Sequence, residues 1–205
     1  MAGKAGKPTR AEIVEAAHAL LAEHGPVGLS MRRVAERVGA SYQVIYTRIG
    51  DKGALARALH DDGFRRLADM AGAQPPTGRR EDFFALAHGY RRFAEEEPWL
   101  FELMFGAPIA DFTRDADSRA VAWRSFDRCF VATTRAWLDH SFPERPRGLA
   151  ASLAWSLWTA VHGLTMLHLA GHPSPSGDIA RDTEALVAQL LPKSLGTPEA
   201  PKAED

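Results

Sequence analysis

Apolar residues recur every three or four positions along most of this chain, and Gly, Pro, Ser or Asp residues separate the apolar runs. This period indicates amphipathic helices, and the separating residues suit helix caps and turns. The pattern therefore predicts an all-α protein. Its helices are expected at residues 9–24, 30–38, 41–49, 51–72, 80–97, 98–105, 118–140, 149–171 and 178–191.

The second and third of these helices lie within residues 29–52 and are joined by a sharp turn. Ser30 and Ser41 stand where each helix begins, and serine is a favourable N-cap residue. Gly39 stands at the turn, where a left-handed backbone costs glycine no steric strain. A small residue, Ala35, lies where the two helices would cross. These features together predict a helix-turn-helix.

The outward face of the second helix of this pair suggests its use. Ile45 and Ile49 are one turn apart and are expected to point inward, which leaves hydrogen-bonding and aromatic side chains outside. Gln suits a base edge, whereas Arg, Lys, Tyr and Thr suit phosphate oxygens. A plain helical hairpin with a solvated polar face is the weaker alternative. The predicted DNA contacts are Ser30, Arg32, Arg33, Ser41, Tyr42, Gln43, Tyr46, Thr47, Arg48 and Lys52.

The distribution of charge supports this interpretation. The 205 residues carry a net charge of −1, but residues 1–55 hold eight Lys or Arg against five Asp or Glu, a net +3. Residues 56–205 hold 17 against 21, a net −4. Only the N-terminal quarter is therefore suited to approach a polyanion. Because +3 is a modest charge, tight binding is expected to need two copies of the chain on one duplex.

Residues 9–55 resemble the DNA-binding domain of the tetracycline-repressor (TetR) family of bacterial regulators. The resemblance rests on Ser-Met-Arg-Arg-Val-Ala at 30–35 and on Gly-Ala-Ser-x-x-x-Ile-Tyr-x-x-Ile-Gly-Asp-Lys at 39–52. Ile49 departs from the usual Phe of the family, and Thr47–Arg48 depart from the frequent His or Tyr. Both departures keep apolar residues inside and polar residues outside, so the expected fold is unchanged and the operator sequence is left open.

Residues 149–171 form the second informative stretch. No Asp, Glu, Lys or Arg occurs between Arg147 and Asp178, and a stretch of this length could cross a membrane. His162 and His168 would be costly in lipid, so we favour a helix that a second subunit covers. Two terminal helices and their mates would form a four-helix bundle, and the TetR resemblance implies the same arrangement. The predicted dimer contacts are Ser152, Ser156, Thr159, Gly163, Ile179, Thr183, Leu186, Val187 and Leu190.

Two C-terminal motifs resemble a TetR subfamily named after Trp-His-Gly. They are Trp158-Thr-Ala-Val-His162-Gly163-Leu164 and the apolar segment at residues 97–105. Bulky aromatic and Met side chains are dense in these helices and often line an apolar cavity. Ordinary core packing explains them as well, and a lone buried His is usually structural. The predicted contacts to a small apolar ligand are Phe64, Phe93, Trp99, Phe101, Met104, Trp123, Phe126, Phe130, Trp155, Trp158 and His162.

Other functions find little support in the sequence. No nucleophile–base pair, carboxylate pair, metal triad or glycine-rich phosphate loop is evident, which disfavours an enzyme. His168 and His172 lie four residues apart but lack a third zinc ligand, so no metal and no cofactor are predicted. A constitutive DNA-organising protein would need a more basic surface. Cys129 is the only cysteine and the N-terminus lacks an apolar signal segment, so a reducing cytoplasm is expected.

We therefore expect a cytoplasmic homodimeric transcriptional regulator, a repressor, that binds a palindromic DNA operator and is released by a small apolar effector. The alternative is a constitutive helix-turn-helix protein, or an activator, without an effector. No membrane partner is expected. The expected domains are residues 1–51, an N-terminal arm and helix-turn-helix; residues 52–193, a helical ligand-binding and dimerisation domain; and residues 194–205, a disordered tail.

Overall fold

The computed structural model describes residues 7–106, 112–144 and 148–192. All regular secondary structure in these ranges is helical, which confirms the all-α prediction. The α-helices are α1 (Arg10–Gly28), α2 (Met31–Arg37), α3 (Tyr42–Ile49), α4 (Lys52–Ala71), α5 (Glu81–Glu96), α6 (Pro98–Phe105), α7 (Ala116–Phe126), α8 (Ala132–Ser141), α9 (Leu149–Leu169) and α10 (Ile179–Leu190).

Local sequence signals set several helix ends. Thr9 and Glu12 form a capping box at the start of α1. The Asp51 carboxylate caps α4 by accepting a hydrogen bond from the Ala54 N–H at 2.8 Å. Asp178 caps α10 in the same way. Because each of these bonds joins residues at most three positions apart, the sequence specifies them without help from distant parts of the chain.

Helix α1 loses helical geometry at Gly25, where the sequence predicts its end. Gly25 has a φ of 65°. The Trp99 ring lies so close to this glycine that an added Cβ would stand 3.2 Å from a ring carbon. A left-handed backbone and a close neighbour both require glycine at this position. After this kink, residues 26–28 continue as a last helical turn before α2.

The predicted single helix at 118–140 is wrong in its extent. The chain instead forms α7, a π-helical turn at Asp127–Val131, and α8. Helix α7 starts earlier than predicted because the Asp115 carboxylate accepts a hydrogen bond from the Ser118 N–H at 2.8 Å. The wider π turn keeps three successive residues, 129–131, buried, which the stripe of a regular α-helix does not do.

The described residues form two compact units. The first contains the residues up to Gln74 together with Gly89–Cys129, and the second contains Pro75–His88 together with the residues from Phe130 onward. Within the first unit, α4 packs against α1, α6 and α7, while α2 and α3 pack against α1 and against each other. Within the second unit, α9 packs against α8 and α10.

The predicted boundary after residue 51 separates the DNA-binding domain from the ligand-binding and dimerisation domain. It is a functional boundary and does not coincide with the two compact units, so it stays a prediction. Only Gly50 and Asp51 separate α3 from α4, so no flexible linker follows the helix-turn-helix. The predicted tail at 194–205 and the first six residues of the arm lie outside the described residues. No helix in the described part of the chain is long and apolar enough to cross a membrane.

Candidate DNA-binding surface

The turn between α2 and α3 is built as the sequence predicts. The Ser30 hydroxyl oxygen accepts a hydrogen bond from the Arg33 N–H at 3.2 Å, and the Ser41 hydroxyl oxygen caps α3 in the same manner. Gly39 has a φ of 65°, and the Ala40 N–H that follows it donates to a carbonyl of α2 at 2.9 Å. These local bonds fix the angle at which α3 leaves α2.

Burial decides which face of α3 is free. Ile45 is fully buried and Ile49 is 8% exposed, as their spacing predicts. They pack on an α2 whose facing residues, Val34 and Ala35, are also buried. The opposite face of α3 is solvent-accessible, and we call it the reading face. It consists of Tyr42, Gln43, Tyr46, Thr47 and Arg48, all of which are exposed.

The reading face is partly organised in advance. The Tyr42 and Tyr46 rings are stacked, with centroids 6.4 Å apart and planes at 19°. The Thr47 hydroxyl donates to the Gln43 carbonyl at 2.8 Å, so its oxygen remains available as an acceptor. Because the face carries no carboxylate, it presents hydrogen-bonding groups to a polyanion without like-charge repulsion.

The arginines around the reading face differ in what they can offer. Arg32 is highly exposed and pairs with Glu36 at 3.1 Å on the same helix. Arg33 is half-buried and donates to the Gly28 carbonyl at 3.1 Å, so it helps to hold the α1–α2 turn. Arg48 is exposed and has no ion-pair partner within the described ranges.

Lys52 lies at the start of α4, beside the reading face in sequence. Its side chain is exposed and has no ion-pair partner in the part of the chain that the structure describes. The first turn of a helix carries unpaired N–H groups and a positive partial charge, which favour a phosphate. Helix α4 therefore begins with a candidate contact to the DNA backbone, Lys52, and continues directly into the region where other helices pack on α4. All ten predicted DNA contacts lie in the first compact unit, and their roles stay predictions.

A helix-turn-helix whose second helix exposes hydrogen-bonding side chains and no carboxylate is typical of proteins that read a DNA sequence. Residues 13–59 match the family described as bacterial regulatory proteins, tetR family, and residues 83–192 match the description Tetracyclin repressor-like, C-terminal domain. The chain therefore belongs to the TetR family. This membership confirms the family resemblance and excludes the enzyme alternative, while the Trp-His-Gly subfamily stays a prediction.

Individual relatives agree with this assignment. The HTH-type transcriptional regulator Rv1816 of Mycobacterium tuberculosis is 29% identical over 114 residues, which are 54% of this chain and 49% of that protein. The match thus spans about half the length of this relative. The HTH-type transcriptional repressor AcnR of Corynebacterium glutamicum is 41% identical over 66 residues, 31% of this chain and 35% of its own length. The solved structure of the protein SCO4313 has a TM-score of 0.70 at 29% identity, covering 89% of this chain and 94% of that chain.

The predicted ligand contacts are divided between the two compact units. Phe64, Phe93, Phe101, Met104 and Phe126 are buried in the first unit. The other members include three tryptophans with large exposed fractions, one of which covers Gly25. Ligand contact by any of these residues stays a prediction. The first unit also contains two exposed members, Trp99 and Trp123. The second unit contains the buried Phe130, the exposed Trp155, and the half-buried Trp158 and His162.

One buried polar residue was missed by the sequence analysis. His60 is 1% exposed and lies four residues before Phe64, on the apolar side of α4. The signal was present, because a spacing of four places both side chains on one helix face. In the described ranges, no group of three or more His, Cys, Asp or Glu is placed to hold a metal ion.

The predicted dimer contacts require one correction. Thr183 is 2% exposed and Val187 is 1% exposed within a single chain, so neither has surface to offer to a partner. Their side chains face inward because α10 packs on α9. Ile179, Leu186 and Leu190 are half-buried. The predicted small-residue positions on α9 are instead all exposed: Ser152, Ser156, Thr159 and Gly163.

The exposed stripe of α9 is less polar than its sequence suggests. The hydroxyls of Ser152, Ser156 and Thr159 donate to carbonyls of their own helix at 3.1, 3.2 and 3.0 Å. Their hydrogen-bonding demand is therefore met within α9, and a close approach by an apolar surface costs little desolvation. Trp155 and Leu167 on the same helix are 48% and 54% exposed.

Proposed function

We propose that this protein is a cytoplasmic, homodimeric transcriptional repressor that binds a palindromic DNA operator and is released by a small apolar effector. The observation that carries the proposal is the reading face of α3, which is exposed and uncharged apart from Arg48, with the exposed Lys52 at the start of α4. In such an arrangement Gln43 would read a base edge, while Tyr46 and Lys52 would contact phosphates. The repressor name of the relative AcnR supports the direction of regulation.

Dimer formation is supported by the surface of α9. The stripe from Ser152 to Gly163 is exposed and internally hydrogen-bonded, and Trp155 is half-exposed beside it. An exposed apolar helix face of this length is typical of a surface that a second subunit covers. Two subunits related by a two-fold axis would place two copies of α3 on successive major grooves, which explains how a modest basic charge could suffice.

Release from DNA by an effector is supported by the way α4 connects the reading face to other helices of the first unit. Helix α4 runs from Lys52 into the packing of α6 and α7 without a linker. A molecule that binds among these helices would change the position of the reading face only if it has different affinities for two arrangements of α4. The predicted aromatic residues of the first unit, such as Phe64 and Phe101, would supply the apolar lining.

The test is selection of bound sequences from a randomised duplex pool with the purified full-length chain at moderate salt. We expect enrichment of an inverted repeat, whose symmetry would report the dimer and whose sequence would report base reading. Weak, salt-sensitive binding with no enriched sequence would refute the proposal that α3 reads DNA. Enrichment of a single half-site would refute binding as a homodimer.

A further inference from the structure

His60 occupies an unusual position for a polar residue. It lies in the middle of α4 and is 1% exposed. Its ring packs between Phe64, with centroids 5.0 Å apart, and Phe112, with centroids 5.4 Å apart. We call these three rings the aromatic box. All of its members belong to the first compact unit.

Only one nitrogen of His60 has a partner. Nδ1 lies 2.9 Å from Oδ1 of Asp61, whereas Nε2 is buried and has no hydrogen-bond partner among the described residues. A buried polar atom without a partner loses its hydration and gains nothing in return. Such an atom in a folded protein calls for an explanation, and a bound molecule is one that chemistry allows.

The partner of Nδ1 fixes what Nε2 can do. A carboxylate only accepts hydrogen bonds, so the Nδ1 of His60 carries the proton that is shared with Asp61. Burial lowers the pKa of the His60 imidazole below its ordinary value, against the opposing influence of the Asp61 carboxylate. The ring is therefore neutral at physiological pH, and Nε2 is a bare acceptor.

The charged neighbours do not supply the missing donor. Arg114 and Asp115 act on His60 electrostatically with opposite signs. The Arg57 Nε lies 3.0 Å from the Asp115 carboxylate, and Arg114 donates to the Met104 carbonyl at 3.1 Å. Arg57 Nε makes this ion pair without hydrogen-bond geometry, and none of these groups donates a hydrogen bond to Nε2 of His60 within the described residues.

The outer wall of the box is the part most easily moved. Phe112 is half-buried and belongs to residues 112–115, which are not helical. It is held by the guanidinium of Arg114, which lies 6.0 Å from the ring centroid. Phe64 is anchored differently, because it lies within α4 and also contacts Phe105, with centroids 5.4 Å apart. A planar guest could therefore take the place of Phe112 without disturbing α4.

We infer that His60 is the hydrogen-bond anchor of an effector site, and that its ligand is a small planar apolar molecule with one N–H or O–H donor. The guest stacks in the position of Phe112 and donates to Nε2 of His60. This inference rests on the ligand response in the proposed function and names the chemistry of that ligand. The site lies on α4, the helix that begins with Lys52 and follows α3 in the chain. Occupancy of the site therefore acts on the helix that is connected to the reading face.

Indole and 1-methylindole provide a matched pair of probes, because they share size and shape and differ in the N–H donor. Titration calorimetry on the full-length protein should give a Kd for indole that is lower by about three- to tenfold than the Kd for 1-methylindole, as expected for one neutral hydrogen bond. The His60→Phe variant keeps an aromatic ring in the box but removes the acceptor. It should bind both probes equally.

Two controls keep this test decisive. His88→Phe changes a histidine of the second unit that pairs with Glu184 at 2.9 Å, and it should leave the indole preference intact. Independently of any variant, the ¹⁵N resonance of Nε2 in histidine-labelled wild-type protein should shift with indole and not with 1-methylindole. Equal binding of both probes by the wild type, binding of neither, or a preference that survives in His60→Phe would overturn the inference.

The two proposals fail separately. A protein that selects an operator but shows no donor preference would retain its DNA-binding role and lose only the His60 site. A protein that prefers indole through His60 but selects no DNA sequence would retain the site and lose the regulatory role. Measuring both properties on one preparation distinguishes these cases.

Discussion

Arg37 at the end of α2 donates two hydrogen bonds to Glu23 of α1, Nη1 to Oε1 at 2.8 Å and Nη2 to Oε2 at 2.6 Å. This paired geometry ties the helix-turn-helix to its supporting helix. The positive charge of Arg37, which was counted in the net charge of residues 1–55, is therefore already neutralised by Glu23. Arg37 is therefore a structural residue more than a contact to DNA.

We expect Arg37→Ala to lower the melting temperature slightly and to leave the preferred DNA sequence unchanged. The hydrogen bond from Arg37 lowers the pKa of the Glu23 carboxyl, so the pair stabilises the fold at neutral pH and loses this effect as the pH falls through that lowered pKa. Thermal unfolding from pH 7 to pH 3 measures the loss in wild type and variant. A variant with unaltered melting temperature but altered sequence preference would contradict this role.

Lys52→Ala should weaken binding to every DNA sequence by a similar factor. If each Lys52 contacts one phosphate, the slope of log Kobs against log salt should become less steep by about 0.9 per lost contact. Fluorescence anisotropy across a salt series measures this slope. Arg92→Ala, which removes an exposed charge on α5, is the matched control and should leave the slope as it is.

Gln43→Ala should instead change which sequence is preferred. A Gln that reads a base edge contributes about 1–3 kcal/mol of discrimination at one base pair of each half-site. Repeating the pool selection with the variant should therefore relax the preference at one symmetric pair of positions. Gln189→Ala on α10 serves as the control. An unchanged preferred site would show that Gln43 is not a base contact.

Gly163→Leu separates a dimer surface from a free helix face. In the isolated chain, a Cβ at Gly163 would meet open space, so the substitution should raise helix stability by about 1 kcal/mol. At a close helix–helix contact between subunits, the same side chain would hold the helices apart. We expect the variant to become monomeric by analytical ultracentrifugation while Ala116→Leu, at the exposed start of α7, remains dimeric. A Gly163→Leu dimer of wild-type affinity would exclude this stripe as the interface.

His60 should make folding stability sensitive to mild acid. Its pKa in the folded chain lies below its unfolded value because burial disfavours the charged ring. Between about pH 6.5 and that lower value, the unfolded chain binds the proton first, so the free energy of unfolding should fall as the pH falls. Denaturant unfolding at pH 7.5 and 5.5 should show a larger loss in wild type than in His60→Phe. An equal loss in both proteins would mean that His60 does not titrate between these pH values.

The features that the sequence predicted correctly are local ones. Ser30, Ser41 and Asp51 each cap a helix through a bond to the third residue that follows, and Gly39 takes the left-handed backbone that its turn needs. The inward placement of Ile45 follows from helical period alone. Family motifs added the identity of the fold, because they combine these local signals in one order.

The features that the sequence analysis missed involve partners distant in the chain. The pairing of Arg37 with Glu23 spans fourteen residues. The burial of Thr183 and Val187 depends on how α10 lies on α9, which periodicity does not specify. The aromatic box brings Phe112 against His60 across a separation that no spacing rule covers.

The sequence by itself thus determined that this protein is an all-α TetR-family chain with a helix-turn-helix whose α3 exposes Gln43 and its neighbours. That was possible because helix caps, turns and amphipathic period act over one or two turns of chain. Only the tertiary structure decided which arginines are already paired, which part of α9 is exposed, and that the Nε2 of His60 is left without a partner in the described chain. These outcomes depend on packing between helices, where burial removes water and makes each unpaired polar atom costly.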